Sequence, residues 1–255
     1  MENKENSFDV LFWGDYALFT NPLTILTGSK YSYAVPTLSA LKGMMKAIYW
    51  KPAVEWEIES VEVLNQIQRE TKNVLLQADK YQASQRGTNS YLKDVAYRVR
   101  AHLVPSVHTE RFGNDQQHGL KKHATIAHSR FTKGSGYAVP VLGTSECRAF
   151  TCETWQLLEK TQQPFYQGKE IVLDTMLLDI VYPVNKDDSL YRVFWTPTAV
   201  DGVLSFPSEA IIQSAIHDSC MANENGLIIE KIEPEQYKID RPKWMDEKKQ
   251  VAADV

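Results

Sequence analysis

The sequence predicts an α+β fold: a ferredoxin-like (RRM-like) βαββαβ domain followed by a small C-terminal antiparallel β domain. Three observations predict it. Apolar and polar residues alternate at Phe8–Trp13, Val54–Ile58 and Val95–Leu103, the period of half-buried strands. Helical periodicity replaces that alternation twice, at Pro36–Pro52 and Leu120–Phe131. After about residue 155 only short strand-like runs between turns remain,. The expected boundaries are 1–155 for the ferredoxin-like domain, 156–233 for the small β domain and 234–255 for a charged, frayed tail.

In the first strand Phe8, Val10 and Phe12 share one face, and Gly14-Asp15 is read as its end,. Phe19–Pro22 reads as a loop and Tyr31–Val35 as a short extended piece. Pro36-Thr37 opens the first helix and Pro52 closes it, because a proline disfavours helix at the residue before it. Leu38, Leu41, Met45 and Ile48 make its core stripe, while Lys42, Lys46 and Tyr49 share another, partly solvent-facing side,. Periodicity alone favours Tyr49 as a residue bordering the core. Val61 and Val63 are apolar in the opposite phase to Val54-Trp56-Ile58, so a bulge near Glu59-Ser60 is expected. Gln66–Ser90 is polar and reads as a mobile loop, with room for a short hairpin.

Val95, Tyr97, Val99, Ala101 and Leu103 then alternate with Arg98, Arg100 and His102. A sheet with one basic open face is a common platform for single-stranded nucleic acid. Pro105–Gly119 reads as loop. In the second helix Leu120, Ala124, Ala127 and Phe131 are the buried stripe, and Lys121, Lys122 and His123 fall in the first turn. Cations there oppose the helix dipole and make sense beneath a bound anion. Gly134-Ser135-Gly136 ends the helix, and Tyr137–Leu142 is the next expected strand. Ile171–Tyr182, Tyr191–Thr196 and Val203–Phe206 are assigned to the small β domain.

With 255 residues, 43% hydrophobic and 24% charged, the chain can bury a core without staples and is not a disordered or fibrous sequence. No apolar run approaches the roughly 20 residues of a membrane span. Met1–Asp9 is polar and lacks a signal-peptide core,. A cytoplasmic protein without a membrane partner is expected. Cys147, Cys152 and Cys220 lack metal-site spacing and read as small buried apolar residues in a reducing compartment,.

The net charge of -4 conceals a basic block. Residues 80–133 carry 10 basic and 3 acidic side chains, and Gln116–Ser145 contains no Asp or Glu. Such a block in an acidic chain points to an anionic partner, most commonly a phosphate backbone, or to a merely solvated face. No nucleotide-binding glycine loop, HExxH, GxSxG or CxxC motif is present,. The available chemistry is His, Lys and Tyr near a basic surface. Those groups can cleave RNA without metal, with the ribose 2′-OH as nucleophile, a histidine moving protons and a lysine stabilising charge. His102, His108, His118 and His128 are all candidates on composition alone.

The chain resembles the type I-C CRISPR-associated Cas-five proteins of the wider RAMP group. The resemblance lies in Gly14–Thr20, Tyr33–Pro36, Ala40-Leu41-Lys42-Gly43, Ala47-Ile48-Tyr49-Trp50-Lys51-Pro52 and Tyr91–Val95. It continues through Lys122-His123, Lys133-Gly134, Leu142-Gly143, Glu146-Cys147, Met176–Tyr182, Asp201-Gly202-Val203 and Phe206-Pro207. It implies a metal-independent endoribonuclease, with no cofactor, that cuts precursor CRISPR RNA at the repeat hairpin. The product's 5′ handle would stay bound in the interference complex. The alternative is a non-catalytic subunit that only binds that handle. The implied partners are precursor and mature CRISPR RNA and the other type I-C complex subunits, with double-stranded DNA a further candidate. The family's catalytic trio falls on Tyr49, Lys122 and His123, with Lys121 the neighbour that competes for the lysine role. Lys42, Lys46, Arg98, Arg100, Lys121 and Arg130 are the RNA-binding candidates.

Overall fold

The computed structural model describes residues 6–22, 24, 29–76, 85–106, 116–152, 164–182, 189–217 and 226–233. In chain order the elements are β1 (Ser7–Ala17), β2 (Lys30–Tyr31), α1 (Leu38–Ile48), β3 (Val54–Val63), β4 (Gln68–Leu76), β5 (Gln85–Pro105) and α2 (Gln116–Lys133). Then come β6 (Phe150–Cys152), β7 (Glu170–Val172), β8 (Met176–Val181), β9 (Leu190–Trp195), β10 (Thr198–Val200), β11 (Val203–Ser205), α3 (Glu209–His217) and β12 (Leu227–Ile232). The fold is a mixed one dominated by antiparallel sheet. A nine-stranded sheet has the order β6-β1-β5-β3-β11-β10-β7, with β2 and β4 also pairing with β5. A separate sheet has the order β12-β9-β8. No described helix is long and apolar enough to cross a membrane.

The alternation in β1 holds: Phe8, Val10 and Phe12 are at most 1% exposed. The strand does not stop at Gly14-Asp15 but runs to Ala17, with Gly14 opposite Val95. Gly14 is there for close approach rather than for a turn. A Cβ at this position would lie 2.7 Å from Leu142 Cδ1 and 2.9 Å from the Arg148 carbonyl oxygen,. The expected bulge in β3 is present as a register shift between Ile58 and Ser60 against β5. β5 is the spine of the sheet. Asp94, at φ 49°, divides it into a half that pairs with β4 and a half that pairs with β3. Asp is one of the few non-glycine residues that tolerate that conformation.

The polar stretch read as a loop over Gln66–Ser90 is largely strand. Gln68–Leu76 pairs residue by residue with Gln85–Lys93. Its alternation is faint because β4 is exposed or half-buried throughout its described part. The backbone ladder stabilises it together with polar contacts. Glu70 accepts from the Tyr16 hydroxyl at 3.2 Å and pairs with Lys93 at 3.1 Å, and the Lys72 ammonium lies 3.3 Å from the Tyr16 ring centre.

α1 begins where expected. Thr37 is its N-cap and accepts from the Ala40 N–H at 3.2 Å,. α2 begins at Gln116, a turn earlier than expected, so Lys121, Lys122 and His123 lie in its second turn rather than over its N-terminal dipole. It ends as predicted. Gly134 has φ 61°, its N–H donates to the Phe131 carbonyl, and the Ser135 N–H donates to the Arg130 carbonyl, the paired bonds of a Schellman cap. Tyr137–Leu142 is not a strand. The Tyr137 and Ala138 N–H groups instead donate to the Ile48 and Ala47 carbonyls at 3.3 and 2.8 Å. They thereby satisfy acceptors that every helix leaves open at its C-terminal end. The strand that takes the edge beside β1 is β6, whose three residues give no periodic signal.

The short C-terminal strands do not form one appendage. β7, β10 and β11 extend the large sheet through β11 and β3, while β8, β9 and β12 make the second sheet. The chain accordingly forms two compact units, 1–176 with 196–209, and 177–195 with 210–255, rather than dividing at residue 155. Alternation identifies a strand but not the edge it joins. The predicted tail from residue 234 and Cys220 lie outside the described residues. Cys147 is buried, which pushes its thiol pKa up, and Cys152 is half-buried. Both therefore behave as packing residues.

Two glycines yield a test of opposite sign. At Gly143, φ 96°, a Cβ would meet the Leu18 carbonyl oxygen at 2.1 Å, whereas at Gly43 inside α1 it would meet nothing within 4 Å. Gly143→Ala is expected to destabilise by about 1–3 kcal/mol or more. Gly43→Ala is expected to stabilise by about 0.5–1 kcal/mol. Denaturant melts of both variants check this.

Candidate active site

Tyr49 is the C-cap of α1. Its backbone has left the helix (φ -141°, ψ 120°) while its N–H still donates to the Met45 carbonyl. That change of conformation turns the side chain off the lysine stripe on which a helical wheel puts it. The residue is fully buried rather than partly solvent-facing. Its carbonyl accepts from the Trp56 indole N–H at 2.8 Å, which fixes the cap against β3. Trp56 in turn meets Phe8 and Phe131 edge-on, at 4.9 and 6.1 Å between ring centres, so the cap is fastened to the centre of the core.

α2 supplies the partner. Ala124 and Ala127 are 2% and 0% exposed and Phe131 is 2% exposed. Small residues on this stripe allow the helix to pack closely. His123, one position before Ala124, lies half-buried at the edge. The Tyr49 hydroxyl and His123 Nδ1 form a hydrogen bond of 2.5 Å. Two turns on, Arg130 donates through Nη1 to the Ile48 carbonyl at 3.3 Å, and its guanidinium carbon lies 5.5 Å from the Tyr49 ring centre. Burial raises the Tyr49 pKa, opposed by the nearby Arg130 charge. The phenol therefore keeps its proton at neutral pH and presents a neutral partner to the imidazole.

The structure brings Tyr49, His123 and Arg130 together. Lys122 and Lys121 are exposed in the same turn as His123. Lys42 and Lys46 are half-buried on α1, and neither forms an ion pair with a described carboxylate. Arg98 and Arg100 are not part of this cluster. They lie on the sheet face opposite Tyr97 and Val99, paired with Glu62 and Asp9 at 3.0 Å each. His102 is likewise 2.9 Å from Glu59. The open basic face read from β5 is thus a face of matched charges. The carboxylates that match it come from β1 and β3, where sequence alone cannot pair them. Of the other histidines, His128 stacks on Phe8 with ring centres 4.1 Å apart, and His108 and the side chain of His118 lie outside the described residues. Trp56 is the site residue that sequence reasoning missed. Its place in an alternating strand was legible, but the acceptor of its N–H was not.

A model of the CRISPR-associated Cas5 proteins, in its Cas5d form, matches residues 9–207. The chain belongs to this family. It is 33% identical over 163 residues to the CRISPR pre-crRNA endoribonuclease Cas5d of Mannheimia succiniciproducens, a match covering 55% of this chain and 69% of that protein. It is also 33% identical over 149 residues to the protein of the same name from Thermus thermophilus, covering 55% of this chain and 61% of that one. A solved structure described as a CRISPR-associated protein superposes with a TM-score of 0.64 at 31% identity, over 80% of this chain and 93% of that one.

The buried phenols of this Cas5 protein carry a stability signature. Tyr49 and Tyr97 both have pKa values raised by burial above the ordinary tyrosine value of 10.0. Below that value both states hold the proton and the stability is fully present. Above it the unfolded chain ionises first, so stability is lost as pH rises towards the folded-state pKa. Chemical denaturation across this alkaline range is expected to show a steep loss, with Tyr49→Phe less steep and tyrosinate absorbance showing delayed ionisation in the folded protein.

Proposed function

We propose that this chain is an endoribonuclease that cleaves precursor CRISPR RNA at the repeat hairpin and retains the 5′ handle within a type I-C interference complex. The observation that carries the reading is the Tyr49–His123 hydrogen bond at the edge of a cationic surface. Family membership and the names of the curated relatives support the same reaction class. The strand order β6-β1-β5-β3, antiparallel throughout, with α1 between β1 and β3 and α2 between β5 and β6, supports a ferredoxin-like reading of the larger unit.

In this mechanism no metal is needed. The ribose 2′-hydroxyl attacks the adjacent phosphorus while its proton passes to His123. The P–O5′ bond then breaks, and the leaving O5′ takes up the proton that His123 accepted, which restores the neutral imidazole. The products are a 2′,3′-cyclic phosphate and a 5′-hydroxyl. Tyr49 holds the imidazole through Nδ1, so Nε2 is the nitrogen that exchanges protons with the RNA. Lys122 contributes positive charge towards the phosphorane-like transition state. Lys42, Lys46, Lys121 and Arg130 attract the backbone from the helix side. Arg98 and Arg100 would reach RNA only across the opposite sheet face, with part of their charge already spent on Glu62 and Asp9.

Cleavage of a repeat hairpin is expected to persist in excess chelator and to vanish, with binding intact, when the cleavage-site ribose is 2′-deoxy. His123→Ala is expected to slow single-turnover cleavage about 10²–10⁴-fold at nearly unchanged affinity. Lys122→Ala should lower rate and, modestly, affinity, while Lys121→Ala should affect affinity more than rate. If His123→Ala cleaves at the wild-type rate, His123 is not the proton-transfer group; if the wild-type chain leaves the hairpin uncut, the non-catalytic handle-binding role replaces the enzyme.

Salt dependence separates the two cationic faces. Joint replacement of Lys42 and Lys46 by Ala is expected to flatten the slope of log affinity against log salt by about 0.7–0.9 per lost contact. Joint replacement of Arg98 and Arg100 should flatten it less. The reverse ranking in a binding titration would move the RNA to the open sheet face.

A further inference from the structure

We propose that Trp50 and Tyr137 form a stacking platform for unpaired RNA bases beside the Tyr49–His123 pair; the inference rests on the endoribonuclease reading and specifies which part of the substrate meets this end of α1. Trp50 is nearly half exposed, at 45%, and Tyr137 is three-quarters exposed, at 75%. Among the described residues neither packs on another aromatic ring, and neither side chain makes a hydrogen bond. Apolar area left in water contributes nothing to the core, so packing does not account for the exposed part of either ring.

The backbone that carries them is nonetheless firmly placed. The Tyr137 and Ala138 N–H groups donate to the Ile48 and Ala47 carbonyls. At Gly136 a Cβ would come within 3.0 Å of the Ala47 oxygen, so only glycine lets the segment lie this close to the last turn of α1. Trp50 directly follows Tyr49 in the chain. Both aromatic residues are therefore anchored to the turn that presents Tyr49 to His123.

The surroundings are cationic. Lys46 and Lys51 stand at the same end of α1, and Arg130 donates to the Ile48 carbonyl that Tyr137 also uses. Neither lysine pairs with a described carboxylate. Exposed rings interleaved with unmatched cations suit a single strand, whose base faces stack on the rings while its phosphates meet the charges. A paired stem offers no open base face. The occupant is therefore the unpaired flank of the repeat hairpin at the cleavage position. An apolar protein surface would cover the rings but leave the lysines unmatched.

The test uses the full chain and a repeat-hairpin RNA made uncleavable by a 2′-deoxy cleavage site, with 2-aminopurine at each flanking nucleotide in turn. Stacking on wild type is expected to quench at least one position. Trp50→Ala and Tyr137→Ala should each weaken binding about 5- to 150-fold. Trp50→Phe and Tyr137→Phe should retain most of the affinity. On RNA abasic at the quenched position, wild type and the Ala variants should bind alike. Wild-type affinity in both Ala variants, or losses that persist undiminished on abasic RNA, would overturn the platform. Should the wild type quench the flank yet leave the all-ribose hairpin uncut, the platform stands and the nuclease reading falls, so the two failures are told apart.

Discussion

The geometry of the site depends on how the C-terminal end of α1 is held. A helix end leaves carbonyls without intrahelical donors, and here three of them find donors elsewhere in the chain. Trp56 on β3 donates to Tyr49, Arg130 on α2 and Tyr137 beyond α2 both donate to Ile48, and Ala138 donates to Ala47. Those bonds join α1, β3, α2 and the segment after α2 at one place. The Tyr49 hydroxyl can then meet His123 although 74 residues separate them. The core beneath is the Phe8, Trp56 and Phe131 cluster. A loss of packing there would propagate directly to the Tyr49–His123 pair, because the ring that packs and the N–H that fixes Tyr49 belong to the same tryptophan.

The basic block has two physically different halves. On the open sheet face each cation faces a carboxylate: Arg98 faces Glu62, Arg100 faces Asp9 and His102 faces Glu59. Cross-strand pairs of this kind stabilise register but leave little net field. Glu62 is partly buried, which raises its pKa, with Arg98 and Arg100 opposing that rise. On the helix side Lys42, Lys46 and Lys122 have no such described counterpart. Unmatched charge, rather than total charge, is what attracts a polyanion.

How much of this was legible depends on whether the determinant is local. Thr37 and Pro52 bracket α1, the phase change at Glu59-Ser60 marks the bulge, and Gly134 caps α2. Each signal sits within a few residues of the element it controls. The fourth strand of the expected order was misplaced because β6 has three residues and Tyr137–Leu142 looks more apolar. The β4–β5 pairing is read only as room for a short hairpin because β4 buries none of its described side chains, so no alternation records its length. Periodicity misassigned Tyr49 because a helical wheel has no meaning for a residue whose backbone has left the helix. The resemblance named Tyr49, Lys122 and His123, but only the three-dimensional arrangement identifies Trp56 and Arg130 as what holds the tyrosine.

In the proposed mechanism a phenol suits His123 because the substrate is an anion. A carboxylate behind the imidazole would orient it equally well and would strengthen it as a base. It would also set a negative charge near the phosphate that must approach. At an effective dielectric of about 20, two unit charges roughly 6 Å apart repel by about 3 kcal/mol, and the dianionic transition state would be opposed more strongly than the ground state. A buried tyrosine whose pKa is raised stays neutral and imposes no such cost. The absence of Asp and Glu from Gln116 to Ser145 follows the same logic, since that stretch carries α2 and the segment against α1. That stretch therefore contributes positive charge or none, and in the proposed mechanism the orientation of the histidine is left to a group that stays uncharged.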